Sequence, residues 1–591
     1  MKQLLSGNEA IARGAYEAGV RVGTAYPGTP STEILESLSR YPEVRTLWAP
    51  NEKVALETAL GAAYAGARTL VAMKHVGLNV AADPFFYGAY TGIEAGLVIV
   101  SADDPGMHSS QNEQDNRRYS KFARVPMLEP SDSQEARDMT RLAFELSEQF
   151  DVPVLLRTTT RISHSHSIVE LDPDFVPPGR DLPPYPRNPQ KYVMIPAHAR
   201  PRHVVVEERL KRLAAYSEET PLNRIEWGDR RLGIITSGIS YAYAREVFPQ
   251  ASYLKLGMTF PLPARKVREF AAGVERLIVI EELDPFLEEE VRLLGVTVHG
   301  GKDAFPLLGE FDPDVVRAGG RQLGLLPPED GSAPPPLSLE LPPRPPVLCP
   351  GCPHRSVYYA LRRARMIVNS DIGCYTLAVL PPLSTTDTMG CMGGSISMAY
   401  GVELAGRPER AVATIGDSTF YHSGIPALLN IAYNGGRTIV IVLDNRTTAM
   451  TGHQGHPGTG IGTRGERLHE IPIEDIGRAF GLKRVFVVDA YDTRAMIRLL
   501  KESREAEEPT LIVARRACVL LPEARARQGP AYWVDPERCN GCGLCFSVGC
   551  PAILKTAEGK AEISALLCNA CDLCAQVCAR GAIHPGEERG E

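Results

Sequence analysis

The stretch Ala411–Asn445, AVATIGDSTFYHSGIPALLNIAYNGGRTIVIVLDN, decides how the rest of the chain is read. An apolar run closes on Gly416-Asp417, a helical pattern follows, and a second apolar run closes on Asp444-Asn445. Short unbroken apolar runs on either side of a helix-length segment predict two buried, parallel strands. Both strands then end at the carboxyl edge of one sheet, where open α/β sheets bind ligands. That edge receives Asp417 and Asn445, and a carboxylate with an amide oxygen suits a hard, oxygen-seeking cation such as Mg²⁺. Ser423-Gly424 is read as the start of the intervening helix, with its free N–H groups available to phosphate oxygens. An ordinary strand–helix–strand unit that happens to end in polar residues is the alternative at this point.

The whole chain has room for such a domain and several more. Its 591 residues suggest about four domains, and 44% hydrophobic with 23% charged residues is an ordinary globular balance. The net charge of −7, without a long basic run, argues against nucleic acid as a partner. The opening MKQLLSGNEAIARGAYEAGV is interrupted by charges, and no stretch approaches the apolar length of a membrane span. The expectation is a cytoplasmic protein with no membrane partner.

Residues 1–165 read as an α/β domain. A strand leads into Thr29-Pro30-Ser31-Thr32-Glu33, a helix start with Pro and a cap residue in its first turn. Glu52 heads a small-residue helix, where the helix N-terminus favours a carboxylate; a solvent-facing first-turn Glu is the plainer reading. LVIVSADD (97–104) and DVPVLLRTT (151–159) are further buried strands. Residues 166–325 start with an irregular, Pro- and Arg-rich segment to about 230, then a second α/β domain. Its strand-end residues Ser237, Gly238, Glu281 and Glu282 are read as structural or as domain contacts, because no complementary motif accompanies them. A Pro-rich linker at 326–346 precedes a third α/β domain at 347–527 and a small Cys-rich module at 528–591.

Eight of the thirteen cysteines crowd into Cys539–Cys578, and in a cytosolic chain such clustering means metal rather than disulfides. The spacing is Cys539-x2-Cys542-x2-Cys545-x4-Cys550-Pro551, then Cys568-x2-Cys571-x2-Cys574-x3-Cys578. Triple runs with a distant fourth thiolate are what [4Fe–4S] clusters need, the fourth serving the other cluster. Cys539, Cys542, Cys545 and Cys578 form one set; Cys568, Cys571, Cys574 and Cys550 form the other. The first run has one residue more than usual before its last Cys, and Ala579 stands where a second Pro is usual. Structural zinc fits poorly, since no His interleaves the cysteines. Cys349, Cys352, Cys374 and Cys518 are candidates for a third cluster, with Cys391 as the spare.

Together these pieces resemble the 2-oxoacid:ferredoxin oxidoreductases. The segment GDS…LDN (416–445) resembles the thiamin-diphosphate motif, with Ser418 in place of the usual third Gly. YPGTPS (26–31), NEKVALETALGAAYAGAR (51–68), CPGCPHR (349–355), SDIGC (370–374), TGHQGHPGTG (451–460) and the terminal cysteines extend the resemblance over nearly the whole chain. CPGCPHR, TGHQGHPG and the fused cysteine module point to the indolepyruvate branch. The implied fold is multidomain α/β, with doubly wound parallel sheets in a pyrimidine-binding domain and a diphosphate-binding domain. A transketolase C-terminal-like α/β domain and a ferredoxin-like two-cluster α+β module complete it.

The same resemblance implies the site. Glu52 would hydrogen-bond the aminopyrimidine ring of thiamin diphosphate; Gly416, Asp417, Ser418, Asn445 and Thr447 would bind the cofactor. Asp417 and Asn445 would hold Mg²⁺ by side chain and Thr447 by its carbonyl. Cys349, Cys352, Cys374 and Cys518 align with the ligands of a cluster near the cofactor. Thr29 matches a substrate-contacting threonine, but Asp103 stands where pyruvate enzymes place a carboxylate-binding Arg. Lys74, His75 and His453 are therefore candidates for holding the substrate carboxylate. The implied reaction is oxidative decarboxylation of arylpyruvates with coenzyme A, electrons leaving through the clusters to ferredoxin. A small (beta) subunit is the implied partner, commonly two of each subunit. A non-oxidative thiamin enzyme and a purely electron-carrying subunit are the two other readings.

Overall fold

The computed structural model describes residues 1–586 apart from 177–181, 183, 186, 329–343 and 526–528. Most of the linker expected at 326–346 lies outside the described residues. The chain divides into two units, Met1–Leu337 and Ser338–Glu591.

In the first unit a seven-stranded sheet has the order Met258–Phe260, Met127–Leu128, Val154–Thr159, Leu97–Asp103, Thr69–Lys74, Val22–Ala25, Arg45–Trp48. Neighbours are parallel except at the Met258–Phe260 edge. Thr69–Lys74 and Leu97–Asp103 are buried at every residue, which is why their sequences show no polar alternation. A second sheet, Arg276–Ile280, Asp229–Ser237, Ala251–Leu256 and Asn223–Glu226, is parallel but for its last strand.

Buried ion pairs knit these two sheets together. Arg117 reaches Glu281 at 2.7 Å and also grips Asp115, while Arg157 reaches Asp103 at 2.9 Å and Glu129 at 2.7 Å. Ser237 Oγ donates to Glu129 at 3.2 Å, and a Glu282 carboxylate oxygen accepts from the Phe311 N–H at 2.8 Å. Ser237 and Glu281 thus serve the contact between sheets, while the Glu282 carboxylate binds within its own domain. Burial pushes the Asp103 and Glu282 carboxyls up to about 7. Replacing Arg117 by Met strands two buried carboxylates, so it is expected to cost about 3–5 kcal/mol of unfolding free energy. Urea unfolding measures this, and a loss below about 1 kcal/mol, the range of an exposed pair, would count against the network's structural weight.

The segment 166–230 departs from its irregular reading. His166–Glu170 pairs with Lys2–Ser6, and Pro196–Glu219 is a 24-residue helix. Its prolines suggested a break; Pro196 occupies the first turn, where no intrahelical N–H is needed, whereas Pro201 lies inside the helix and removes one such bond. Val206, Arg209, Leu213 and Ser217 form its buried face. Arg209 donates to the Asp151 carbonyl at 2.6 Å and to the Ala89 carbonyl, so tertiary contacts hold a helix that its composition does not advertise.

The second unit contains a six-stranded parallel sheet: Thr388–Met389, Ile367–Ser370, Ala411–Gly416, Ile439–Asp444, Thr510–Arg515, Arg484–Asp489. Alternate residues feed two cores. Val412, Ile439, Ile441 and Leu443 pack with Val357, Leu361, Met496 and Leu500 on one face; Ala413, Ile415, Val440 and Val442 pack with Ile396, Ala399, Leu428 and Ile431 on the other. Helices therefore cover both faces, as a doubly wound sheet requires. The Cys-rich end carries two short antiparallel pairs, Trp533–Val534 with Ile583–His584 and Ile553–Lys555 with Ala561–Ile563, and helical turns at Leu544–Val548 and Leu573–Val577. Among the described residues no helix is long and apolar enough to cross a membrane.

Candidate active site

The register of the second unit's sheet sets Gly416 opposite Leu443 on adjacent parallel strands. Asp417 and Asn445 therefore leave the same edge within one residue of each other in register. The helix begins at once: Gly416 is its N-cap, Asp417–Thr419 its first turn, Phe420–Gly424 a π-helical turn, and Ile425–Tyr433 its continuation. Ser423-Gly424 consequently lies inside the helix and does not start it. Ending the strand at Asp417 itself puts that carboxylate at the helix's positive pole, and a π turn is frequent beside functional sites.

Asp417 is 3% exposed, and its Oδ1 accepts the Ser418 N–H at 2.8 Å. Oδ2 lies 3.1 Å from His456 Nε2, at an angle that leaves both atoms without a hydrogen bond among the described residues. Burial opposes ionisation of Asp417, yet His456 and the Ser418 N–H hold its carboxyl below the ordinary range. Next to it, burial and the charge of Asp417 push the Asp444 carboxyl up to about 6, against the pull of Arg515, whose Nε donates at 2.6 Å. Among the described residues Asn445 Oδ1 accepts only a long bond from Thr447 N, 3.3 Å, and Thr447 Oγ1 is buried without a partner. Thr448 Oγ1 meets Ser418 Oγ at 3.0 Å, tying the two strand ends together. Under-satisfied oxygens and two crowded carboxyls are what a bound cation relieves, so the residues fit Mg²⁺.

A second layer supports this edge. Tyr375 OH accepts the Gly416 N–H at 2.8 Å and donates to the Ile372 carbonyl at 3.0 Å. The Asp371 carboxylate accepts N–H groups of Ile372, Gly393 and Ser395 at 2.8, 3.0 and 3.0 Å. Gly393 has φ 83°, and a Cβ there would sit 2.4 Å from that of Ser423, so only glycine fits. His354 stacks edge-on to Tyr375, and burial pushes it down to about 4, so it is neutral. His456, His354, Asp371 and Asp444 were not singled out from the sequence. Each lies in or beside a motif, but only the pairing of distant segments shows that it faces Asp417 or the strand end behind it. His453, in the same loop as His456, has φ 71° and a buried Nδ1 without a partner.

In the first unit Glu52 opens the helix Glu52–Tyr64, capped by Asn51, whose side chain accepts the Val54 N–H at 2.9 Å. Glu52 is 4% exposed. Its carboxylate rests on Gly77, where a Cβ would meet it at 2.7 Å, so it is no solvent-facing first-turn acid. Lys74 and His75 end the strand Thr69–Lys74 and begin the helix His75–Val80. Burial pulls Lys74 down to about 8, and Nζ donates to the Ser109 carbonyl at 2.6 Å. His75 is lowered by burial and then by Lys74; its Nδ1 is buried without a partner among the described residues. A Cβ on Gly28 would sit 3.0 Å from Lys74 Cβ, so the Thr29 loop passes close to the same strand end. Glu52, Thr29, Lys74 and His75 thus cluster at one carboxyl edge, whereas Asp103 faces Arg157 inside the protein.

Cys539, Cys542, Cys545 and Cys578 line one pocket, with Phe546 and Ile583 among its walls. Burial pushes the Cys571 thiol up to about 11, with Cys550 and Cys568 beside it, and raises Cys574 with the same neighbours. Burial also takes Cys374 up to about 11, with Cys518 and Cys349 adding to it. Cys352 is raised likewise, with Cys349 and Cys374 adjacent. Cys391 is exposed. Among the described residues no three His, Cys, Asp or Glu side chains close around a single metal ion. A cubane differs in binding one thiolate per iron, so its ligands stand further apart.

Comparison with known proteins covers both units. Residues 13–218 match the pyruvate flavodoxin/ferredoxin oxidoreductase thiamine-diphosphate-binding family, and residues 371–514 match the C-terminal TPP binding domain of thiamine pyrophosphate enzymes. The chain is 44% identical to indolepyruvate oxidoreductase subunit IorA of Pyrococcus horikoshii, over 99% of this chain and 97% of that one. It is 42% identical to the protein of the same name from Archaeoglobus fulgidus, over 99% and 98%. Identity to 2-oxoglutarate synthase subunit KorA of Methanothermobacter marburgensis is 27%, over 47% of this chain and 87% of that one.

Proposed function

The chain belongs to the indolepyruvate oxidoreductase subunit IorA family of thiamin-diphosphate oxidoreductases, and on that premise we propose that it oxidatively decarboxylates arylpyruvates. Indolepyruvate and coenzyme A are the substrates, the aryl-acetyl-CoA and CO₂ the products, and electrons leave through [4Fe–4S] groups to ferredoxin. The observation that carries the proposal is the Asp417–Asn445 strand edge, with buried oxygens short of partners.

Thiamin diphosphate, when bound, supplies the electron sink for loss of CO₂. Asp417, Asn445 and the Thr447 carbonyl hold the Mg²⁺ that fixes its diphosphate; Gly416 and Ser418 shape that edge. Glu52, fixed at a helix N-terminus, accepts and returns a proton at its buried carboxylate oxygen. Lys74 and His75, at the strand end beside Glu52, are the candidates for holding the 2-oxoacid carboxylate, with Thr29 beside them and His453 as the remaining candidate. Cys539, Cys542, Cys545 and Cys578, then Cys568, Cys571, Cys574 and Cys550, and finally Cys349, Cys352, Cys374 and Cys518 hold the iron. A small beta subunit, two of each in the assembly, completes the enzyme, which works in the cytoplasm.

An anaerobic assay of the chain with its small subunit, following viologen reduction, tests this. Reduction is expected with indolepyruvate and phenylpyruvate, to depend on coenzyme A, and to be much slower with pyruvate. Absence of acceptor reduction, or a preference for pyruvate, overturns the proposal. Cys518→Ala is expected to lower iron by about four atoms per chain, one cubane's worth. Unchanged iron by colorimetric assay would eliminate the third cluster.

A further inference from the structure

The motif CPGCPHR ends in Arg355, which opens the helix His354–Ala364 and is 2% exposed. A guanidinium this deep ordinarily has a carboxylate partner. Arg355 has none among the described residues, and its partners are four backbone carbonyls. Nε donates to Cys349 at 3.0 Å, Nη2 to Leu348, and Nη1 to Gly549 and, at 3.4 Å, to Val548. Two of those carbonyls flank the Cys349–Cys352 loop and two immediately precede Cys550. The same junction is held by Asn569 Nδ2 on the Pro350 carbonyl, 2.6 Å, and by Gln576 Nε2 on the Tyr491 carbonyl, 2.8 Å. Burial disfavours the charge of the guanidinium, and the side chains whose negative charge would favour it are those of Cys550, Cys352, Cys349 and Cys571. They come from two of the three cysteine sets.

A fork of this geometry is a device for fixing two loops at one spacing, and its charge cannot be titrated away. Thiolates loaded with iron would be the missing counter-ions, and an iron–sulfur group gains one negative charge on each reduction. We propose that Arg355 is a positioning residue of the electron path, fixing the Cys349-Cys352 loop against the Cys550 loop and stabilising the reduced state of the groups they hold. The step it serves is a single electron passing from one iron–sulfur group to the next, with no bond made or broken. The proposal rests on the functional reading above, which supplies the iron.

The experiment uses the anaerobically purified complex with Arg355→Met, Arg355→Gln and Arg355→Lys, read by iron content and by redox titration of the electron paramagnetic resonance signals. With full iron retained, the neutral variants are expected to lower the reduced-to-oxidised ratio of the two flanking groups about tenfold at fixed potential, about 59 mV for a one-electron couple, while Lys stays within about threefold. The set Cys539, Cys542, Cys545 and Cys578, in its own pocket, is the internal control and is expected not to move. Wild-type ratios in either iron-replete neutral variant overturn the proposal, as does a Lys variant that shifts as far as Met. Iron loss from both neutral variants with retention in Lys supports it, and iron loss from all three overturns it. A wild-type complex without iron would remove the functional reading and this inference together; wild-type iron with unmoved potentials removes only the role of Arg355.

Discussion

Glu52→Gln is expected to lower indolepyruvate-dependent viologen reduction by about 10²–10⁴-fold, the usual worth of a positioned acid–base group. The amide keeps the shape of the carboxylate, so the fit against Gly77 and the Asn51 cap survive the change. Iron content and melting temperature are therefore expected to stay at wild-type values. This separation matters, because a helix-capping acid lost to Gln would alter stability by tenths of a kcal/mol and leave turnover alone. Near-normal activity would show that the buried carboxylate is structural, and some other group would have to move the proton.

Asp417→Ala removes the central oxygen donor of the strand edge. Second-layer ligand partners are worth 10–100-fold in metal affinity, so a direct ligand is expected to cost at least about 100-fold in Mg²⁺-dependent retention of thiamin diphosphate. Tryptophan-fluorescence or calorimetric titration of the cofactor at varied Mg²⁺ measures it. The same variant frees His456 and leaves Asp444 with Arg515 as its partner, so the fold is expected to persist. Wild-type affinity, with its Mg²⁺ dependence intact, would refute the assignment of the cation to this edge. The two substitutions fail differently by design: one keeps the cofactor and stops the chemistry, the other loses the cofactor.

Much of this site was legible from local pattern. Asn51 before Glu52 is a cap followed by an acid, and the cap geometry depends only on residues three apart. The cysteine spacings are local too, and Cys539, Cys542, Cys545 and Cys578 line one pocket. The start of the helix after Ala411–Gly416 was misplaced because Ser423-Gly424 has a better cap composition than Gly416-Asp417. The strand's end, fixed by pairing with Ile439–Asp444, decided otherwise.

By itself the sequence determined buried strands such as Leu97–Asp103, Ala411–Gly416 and Ile439–Asp444, and the position of Asp417 and Asn445 at or beside their ends. These follow from periodicity and from spacing along a few residues of backbone. Only the tertiary structure decided that Met258–Phe260 adds an antiparallel edge to the first sheet and that Pro196–Glu219 is a helix held by Arg209. It also brought His456 to Asp417 and laid Arg355 across two cysteine loops. Apart from the Arg355–Cys349 bond, those contacts join residues tens to hundreds of positions apart, and their existence depends on which faces the packed cores leave available rather than on any propensity of the residues themselves.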